Sequence, residues 1–167
     1  MSRGFVREGD QEDVPLVPQR AYLPAGVPNF VTAEGMDQLL REREELMSER
    51  ESLVNTNENE RRIAQNFINA KLNLLNERIS EARLVEHTGQ QGSEIMFGAA
   101  VTLKNQDSGL VQVFKITGVD EADVAKGKLS FISPMAKGLL NKKAGDRITL
   151  KRNQDNITYE ILEVTYR

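Results

Sequence analysis

The sequence predicts an α+β protein: an antiparallel α-helical hairpin followed by a small antiparallel β-sheet domain with one short helix. Three observations predict it. A proline-free, highly charged stretch over 32–88 repeats its apolar residues at a spacing close to helical. From Ile95 onward the period shortens towards two and β-branched residues become frequent. The charge balance turns at the same place: residues 33–92 carry 8 basic and 12 acidic side chains, residues 93–167 carry 11 and 9. A chain of 167 residues holds one ordinary domain or two small ones, and the pattern favours two parts.

Residues 1–31 hold Pro15, Pro18, Pro24 and Pro28, four of the five prolines. Proline has no N–H to donate and restricts its predecessor, so neither a helix nor a central strand is expected there. The segment reads as an extended tail, with Tyr22, Leu23, Val27 and Phe30 available to dock on the folded part.

Thr32 is placed to cap a helix, and Glu34 suits its positive end. Met36, Leu39, Leu40, Leu46, Met47, Leu53 and Val54 follow as a seam, with the stems of Arg43 and Arg50 on the same stripe. Asn55-Thr56-Asn57-Glu58-Asn59 interrupts it, because Asn and Thr side chains compete for backbone hydrogen bonds and favour a turn. A second seam runs through Ile63, Ala64, Phe67, Ile68, Lys71, Leu74, Leu75, Arg78, Ile79, Ala82 and Val85, and Gly89 and Gly92 end it. At a rise of about 1.5 Å per residue the arms measure roughly 33 Å and roughly 45 Å. Their other faces are charged (Arg41, Glu42, Glu44, Glu45, Glu49 and Glu51 on the first), so the hairpin at 32–88 is expected to project.

In the second domain, 93–167, strands are expected at 99–104, 111–117, 128–132, 147–151 and 157–165. Turn signals stand at 107–109, 145–146 and 153–156. Ser133 and Pro134 open a short helix as cap and first residue, with Met135, Ala136, Leu139 and Leu140 on its apolar face. Such a domain supports a core, but a marginal one.

Composition excludes several function classes. Aromatics make up 5% and Trp is absent, which argues against an aromatic-lined pocket or a base-stacking platform. With no cysteine, disulfide and thiolate chemistry are excluded. The single histidine, His87, is expected at the C-terminal end of the second helix, interacting with its dipole, and leaves nothing for a zinc site. A net charge of −3 is a poor match to a generic nucleic-acid binder. No nucleophile elbow or phosphate loop is present. No apolar run is long enough to span a bilayer and no leader-like apolar segment opens the chain, so a cytoplasmic protein with no membrane partner is expected. No metal or cofactor is expected on the free protein. The chain is expected to be a monomer, since the hairpin closes on itself.

At the turn, Glu58 and Glu60 bear two readings. They are a solvated acidic cap at a helix N-terminus, or they deliver a carboxylate on a long arm to a hard cation held by a partner.

Five segments together resemble the Gre family of bacterial transcript cleavage and elongation factors, GreA/GreB-like. They are the Thr32 to Gly35 opening of the first arm, Phe97-Gly98 entering the first strand, and the loop over 116–123. With them come Ser133-Pro134-Met135-Ala136-Lys137 running on to Gly145-Asp146, and the closing Glu163-Val164-Thr165-Tyr166. The resemblance covers about residues 30–167. It implies an FKBP-like second domain that docks on the rim of the RNA polymerase secondary channel, with Asp120, Ser133, Pro134, Met135 and Lys137 at or beside the contact. It implies a hairpin that enters the channel, its tip at Asn55, Glu58, Asn59 and Glu60. There it shares a Mg²⁺ and a water of the polymerase's own active centre, with indirect contact to RNA and DNA. The chain is then no enzyme, at most a stimulator of the polymerase's metal-assisted RNA cleavage. Asn55 stands where the family pattern has an aspartate, and a neutral amide brings no charge. Two versions stay open: stimulation of cleavage, or occupation of the channel without it. Outside this reading stand a coiled-coil adaptor that ignores polymerase and a peptidyl-prolyl isomerase-like protein.

Overall fold

The computed structural model describes residues 15–54, 57–87 and 92–166. A short strand β1 (Asn29–Val31) leads into helix α1 (Ala33–Glu51), and helix α2 (Glu58–Glu81) returns antiparallel to it. Thr32 caps α1 as the sequence predicts, its hydroxyl accepting from the Gly35 N–H, and Asn57 caps α2. The helices have 19 and 24 residues, about 28 Å and about 36 Å, shorter than the periodicity indicated.

The second helix stops early for a reason outside its own pattern. At Ala82 the backbone turns extended and runs as strand β2 (Ala82–Leu84), parallel to β1 in the register Asn29↔Ala82 to Val31↔Leu84. The Val85 N–H then donates to the Val31 carbonyl at 3.0 Å. The end of the extended tail is therefore a short strand of a two-stranded sheet, and it pairs the two ends of the hairpin. His87 lies beyond the helix rather than at its C-terminus. Its ring meets the Phe97 carbonyl and lies tilted against the Tyr166 ring at 4.4 Å.

The seam between the helices buries Leu39 and Leu46 against Ile68, Leu72 and Leu75, closed at the base by Val31. Leu72 turns inward where the sequence reading placed Lys71, whose ammonium instead sits 4.5 Å from the Phe67 ring centroid. Towards the tip the seam opens: Met47 is 40% exposed, Ile63 59% and Val54 91%.

The second part is a five-stranded sheet of β3 (Ala99–Asn105), β4 (Val111–Thr117), β5 (Lys128–Ser130), β6 (Arg147–Arg152) and β7 (Asp155–Tyr166), in the order β5-β4-β3-β7-β6. It is mixed rather than wholly antiparallel. After β4 a loop and a 3-10 turn (Val124–Lys126) carry the chain back, so that β5 pairs with β4 in parallel, Lys115↔Lys128 to Thr117↔Ser130. The β6–β7 turn narrows to Asn153 and Gln154, with Asn153 at φ 58°, a left-handed conformation asparagine tolerates. Helix α3 (Pro134–Leu139) starts at the Ser133 cap and packs on β6, its Ala136 and Leu139 buried with Ile95, Val101, Leu103, Ile116 and Ile161.

Candidate functional site

Three places bear on function: the hairpin tip, the joint that carries the hairpin, and the exposed side of α3.

At the tip, Glu58, Asn59 and Glu60 form the first turn of α2, all exposed. The Asn57 side chain accepts from the Asn59 N–H at 2.9 Å, and Arg62 donates to the Asn59 side-chain oxygen at 2.9 Å. Glu60 stands where a carboxylate offsets the positive helix end. Residues two apart on a helix do not share a face, so Glu58 and Glu60 are not a bidentate pair. Asn55 lies outside the described residues. Among the described residues no group of three or more His, Asp or Glu side chains comes together to hold a metal ion.

The joint is built by the loop after β4. Asp120 and Glu121 both turn towards the hairpin, with side chains 9% and 2% exposed. Glu121 accepts from the Thr32 hydroxyl, the group that also caps α1. A Cβ at Gly35 would stand 2.7 Å from the Glu121 Oε1, so a larger residue there would oblige this carboxylate to shift. The Lys128 ammonium joins Glu121 at 3.4 Å to Glu34 at 3.2 Å. Beside these, Phe30 packs on Phe97 and Phe131, with ring centroids 5.9 and 5.6 Å away.

Burial lowers the Lys128 pKa, but its hydrogen bond to Glu34 and the charge of Glu121 outweigh that, and it ends above the ordinary 10.5. The sign follows. The contribution of Lys128 is fully present below the unfolded-chain value and is lost as pH rises through the raised one. Titration above pH 10.5 is therefore expected to loosen the joint, read as a falling melting temperature, and Lys128→Met is expected to flatten that fall. An unchanged alkaline profile in the variant would remove Lys128 from the joint.

Asp120 has its own partners. Arg20, from the tail, donates to it at 3.1 Å while bonding both carboxylate oxygens of Glu42 on α1 at 2.8 and 3.0 Å. Arg78 of α2 lies 3.7 Å away and donates to the Ala21 carbonyl. The hydrogen bonds to Glu42 raise the Arg20 pKa, burial opposes them and Asp120 adds to them. The Asp120 carboxylate thus faces the hairpin, not the outside.

Of the remaining predicted docking residues, Pro134 and Lys137 are exposed on α3. Ser133 and Met135 are half-buried: the Ser133 hydroxyl accepts from the Ala136 N–H at 3.2 Å, and Met135 packs on the core. The sequence reading missed Arg20, Glu121 and Lys128 as parts of the joint. The Thr32-to-Gly35 spacing was the one local signal, since a capping threonine followed by a glycine three residues on leaves room for a foreign carboxylate.

A family model described as "Transcription elongation factor, GreA/GreB, C-term" matches residues 90–166. The chain is 31% identical over 150 residues to transcription elongation factor GreA of Nitratidesulfovibrio vulgaris, covering 81% of this chain and 94% of that protein. It is 36% identical over 104 residues to GreA of Francisella tularensis subsp. novicida, covering 62% of this chain and 65% of that one. Among solved structures it is similar to GreA/GreB of Nitrosomonas europaea (17% identity, TM-score 0.42, 82% of this chain and 98% of that). It is also similar to GreA factor homolog 1 of Thermus thermophilus (20% identity, TM-score 0.38, 83% and 99%). The capped hairpin, the Ser133-Pro134 helix and a relative matched over nearly its whole length agree: this chain belongs to the GreA/GreB family of transcription elongation factors.

Proposed function

We propose that the protein regulates elongation by binding RNA polymerase at its secondary channel, in the cytoplasm, as a monomer. The sheet domain seats on the channel rim through the exposed side of α3, with Pro134 and Lys137 outermost. The hairpin enters and brings its tip towards the polymerase's Mg²⁺, near RNA and DNA. The observation that carries this reading is the tip itself. Glu58 is an exposed carboxylate at the far end of two helices that bury only a narrow seam. A helix pair this polar, held by the sheet domain over its lower half and free towards the tip, suits insertion into a partner.

The chain itself performs no covalent chemistry in this reading. Glu58 would offer one oxygen to a cation held by the polymerase, and Asn59, fixed by Arg62, would orient water. Glu60 shares the first turn with Glu58 but not its face, and Asn55 in the remaining tip position brings no charge. One carboxylate where the family pattern has two favours occupation of the channel over cleavage. The adaptor and isomerase alternatives have no support in the relatives. The aromatic cluster of the sheet domain is filled by the chain's own Phe30.

The expected result is binding to purified core polymerase together with a lower rate of RNA cleavage when the protein competes with a cleavage-competent GreA on backtracked complexes. Glu58→Ala is expected to leave binding unchanged. If the protein instead accelerates RNA shortening, and Glu58→Ala removes the gain, the cleaving version holds. Absence of binding would overturn the whole reading.

A further inference from the structure

We infer that Arg20, in the segment ahead of the hairpin, is a positioning residue that sets the direction in which the hairpin leaves the sheet domain. Apart from Arg78 on α2, which lies 3.7 Å from Asp120, the other contacts of the joint gather at the start of α1. Thr32, Glu34 and Gly35 belong to the cap and first turn of α1, and Phe30 precedes them by two residues. Contacts gathered at one end of a rod hold it as a pivot and leave its angle free. Arg20 adds a second point of attachment. Glu42 lies eight residues beyond Glu34, about 12 Å further along the helix axis. Arg20 ties that position to Asp120 on the sheet-domain loop, and two separated points define a direction.

The chemistry suits a strut. A guanidinium is planar and rigid, and its donors reach two carboxylates at once. Here it makes a two-pronged contact with Glu42 and turns its Nε to Asp120. The strut is itself anchored, because Arg78 of α2 donates to the Ala21 carbonyl and lies against the same Asp120 carboxylate. Tail, both helices and sheet-domain loop therefore meet around one carboxylate, 9% exposed. A lysine at position 20 has a single side-chain nitrogen and cannot make the two-pronged contact with Glu42 while a separate nitrogen donates to Asp120.

This inference concerns the free protein and does not depend on what the tip meets. The chain has no cysteine, so two introduced ones report alone. Glu45→Cys on α1 and Lys151→Cys on β6 are both exposed and accept spin labels. Double electron–electron resonance is expected to give one narrow distance peak in the otherwise unchanged chain. Arg20→Ala is expected to lose that narrow peak to a broad, shifted distribution, with Arg20→Lys between the two and far-UV circular dichroism unchanged in both. Glu42→Ala is expected to act in the same direction and carries the test should Arg20→Ala not fold. A narrow, unshifted peak in Arg20→Ala, or in Glu42→Ala where that variant stands in, would overturn the inference.

Discussion

Gly118→Val is expected to part the hairpin from the sheet domain and to lower stability by about 1–3 kcal/mol. Gly118 is buried where the loop leaves β4. A Cβ there would stand inside van der Waals contact of the Phe30 carbonyl oxygen, with the Phe30 carbonyl carbon at 3.5 Å and the Val31 Cα at 3.6 Å. These neighbours are backbone, so no side-chain rotation relieves the overlap. Strand β1 must move, and with it go the pairing to β2 and the seat of Phe30 between Phe97 and Phe131. Chemical denaturation gives the magnitude, and near-ultraviolet circular dichroism follows the aromatic cluster. Gly118→Ala should fall between the parent and the valine variant. An unchanged midpoint in Gly118→Val would mean that β1 does not press on this loop.

Leu75→Ala is expected to cost about 2–5 kcal/mol, the largest single loss in the hairpin. Leu75 is fully buried in α2 and belongs to the cluster of Val31, Leu39, Leu46, Ile68 and Leu72. That cluster is a single seam between two helices. Nothing lies beyond it to collapse into the space left by the side chain, so the cavity stays. Met47→Ala is the control: at 40% exposure its loss is expected to stay within about 0.5 kcal/mol. The two free energies, measured by urea unfolding followed at the helical band, decide the matter. If Leu75→Ala cost no more than Met47→Ala, the seam described for the hairpin would be wrong.

Much of this molecule is legible from one dimension, because the signals concerned are local. The cap at Thr32 and the Ser133-Pro134 helix start depend on a side chain meeting a backbone N–H three residues away, and both form as read. The strand segments follow from alternation, and their ends match within a few residues. The exposed tip acids follow from a polar turn between two amphipathic runs.

What failed to show was non-local. The helical period continues past Ala82, yet the helix ends there, since a strand some fifty residues earlier offers partners to the same backbone. The parallel step from β4 to β5 depends on the path of a loop, which no pattern of alternation encodes. Asp120 reads as a surface loop acid until Arg20 and Arg78, 100 and 42 positions away in the chain, are brought against it. Local hydrogen-bonding and burial preferences, written in neighbouring residues, determined the elements and the family. Tertiary packing alone decided how the hairpin is held, because charge pairing acts through space and a carboxylate does not record in sequence which cation it will meet.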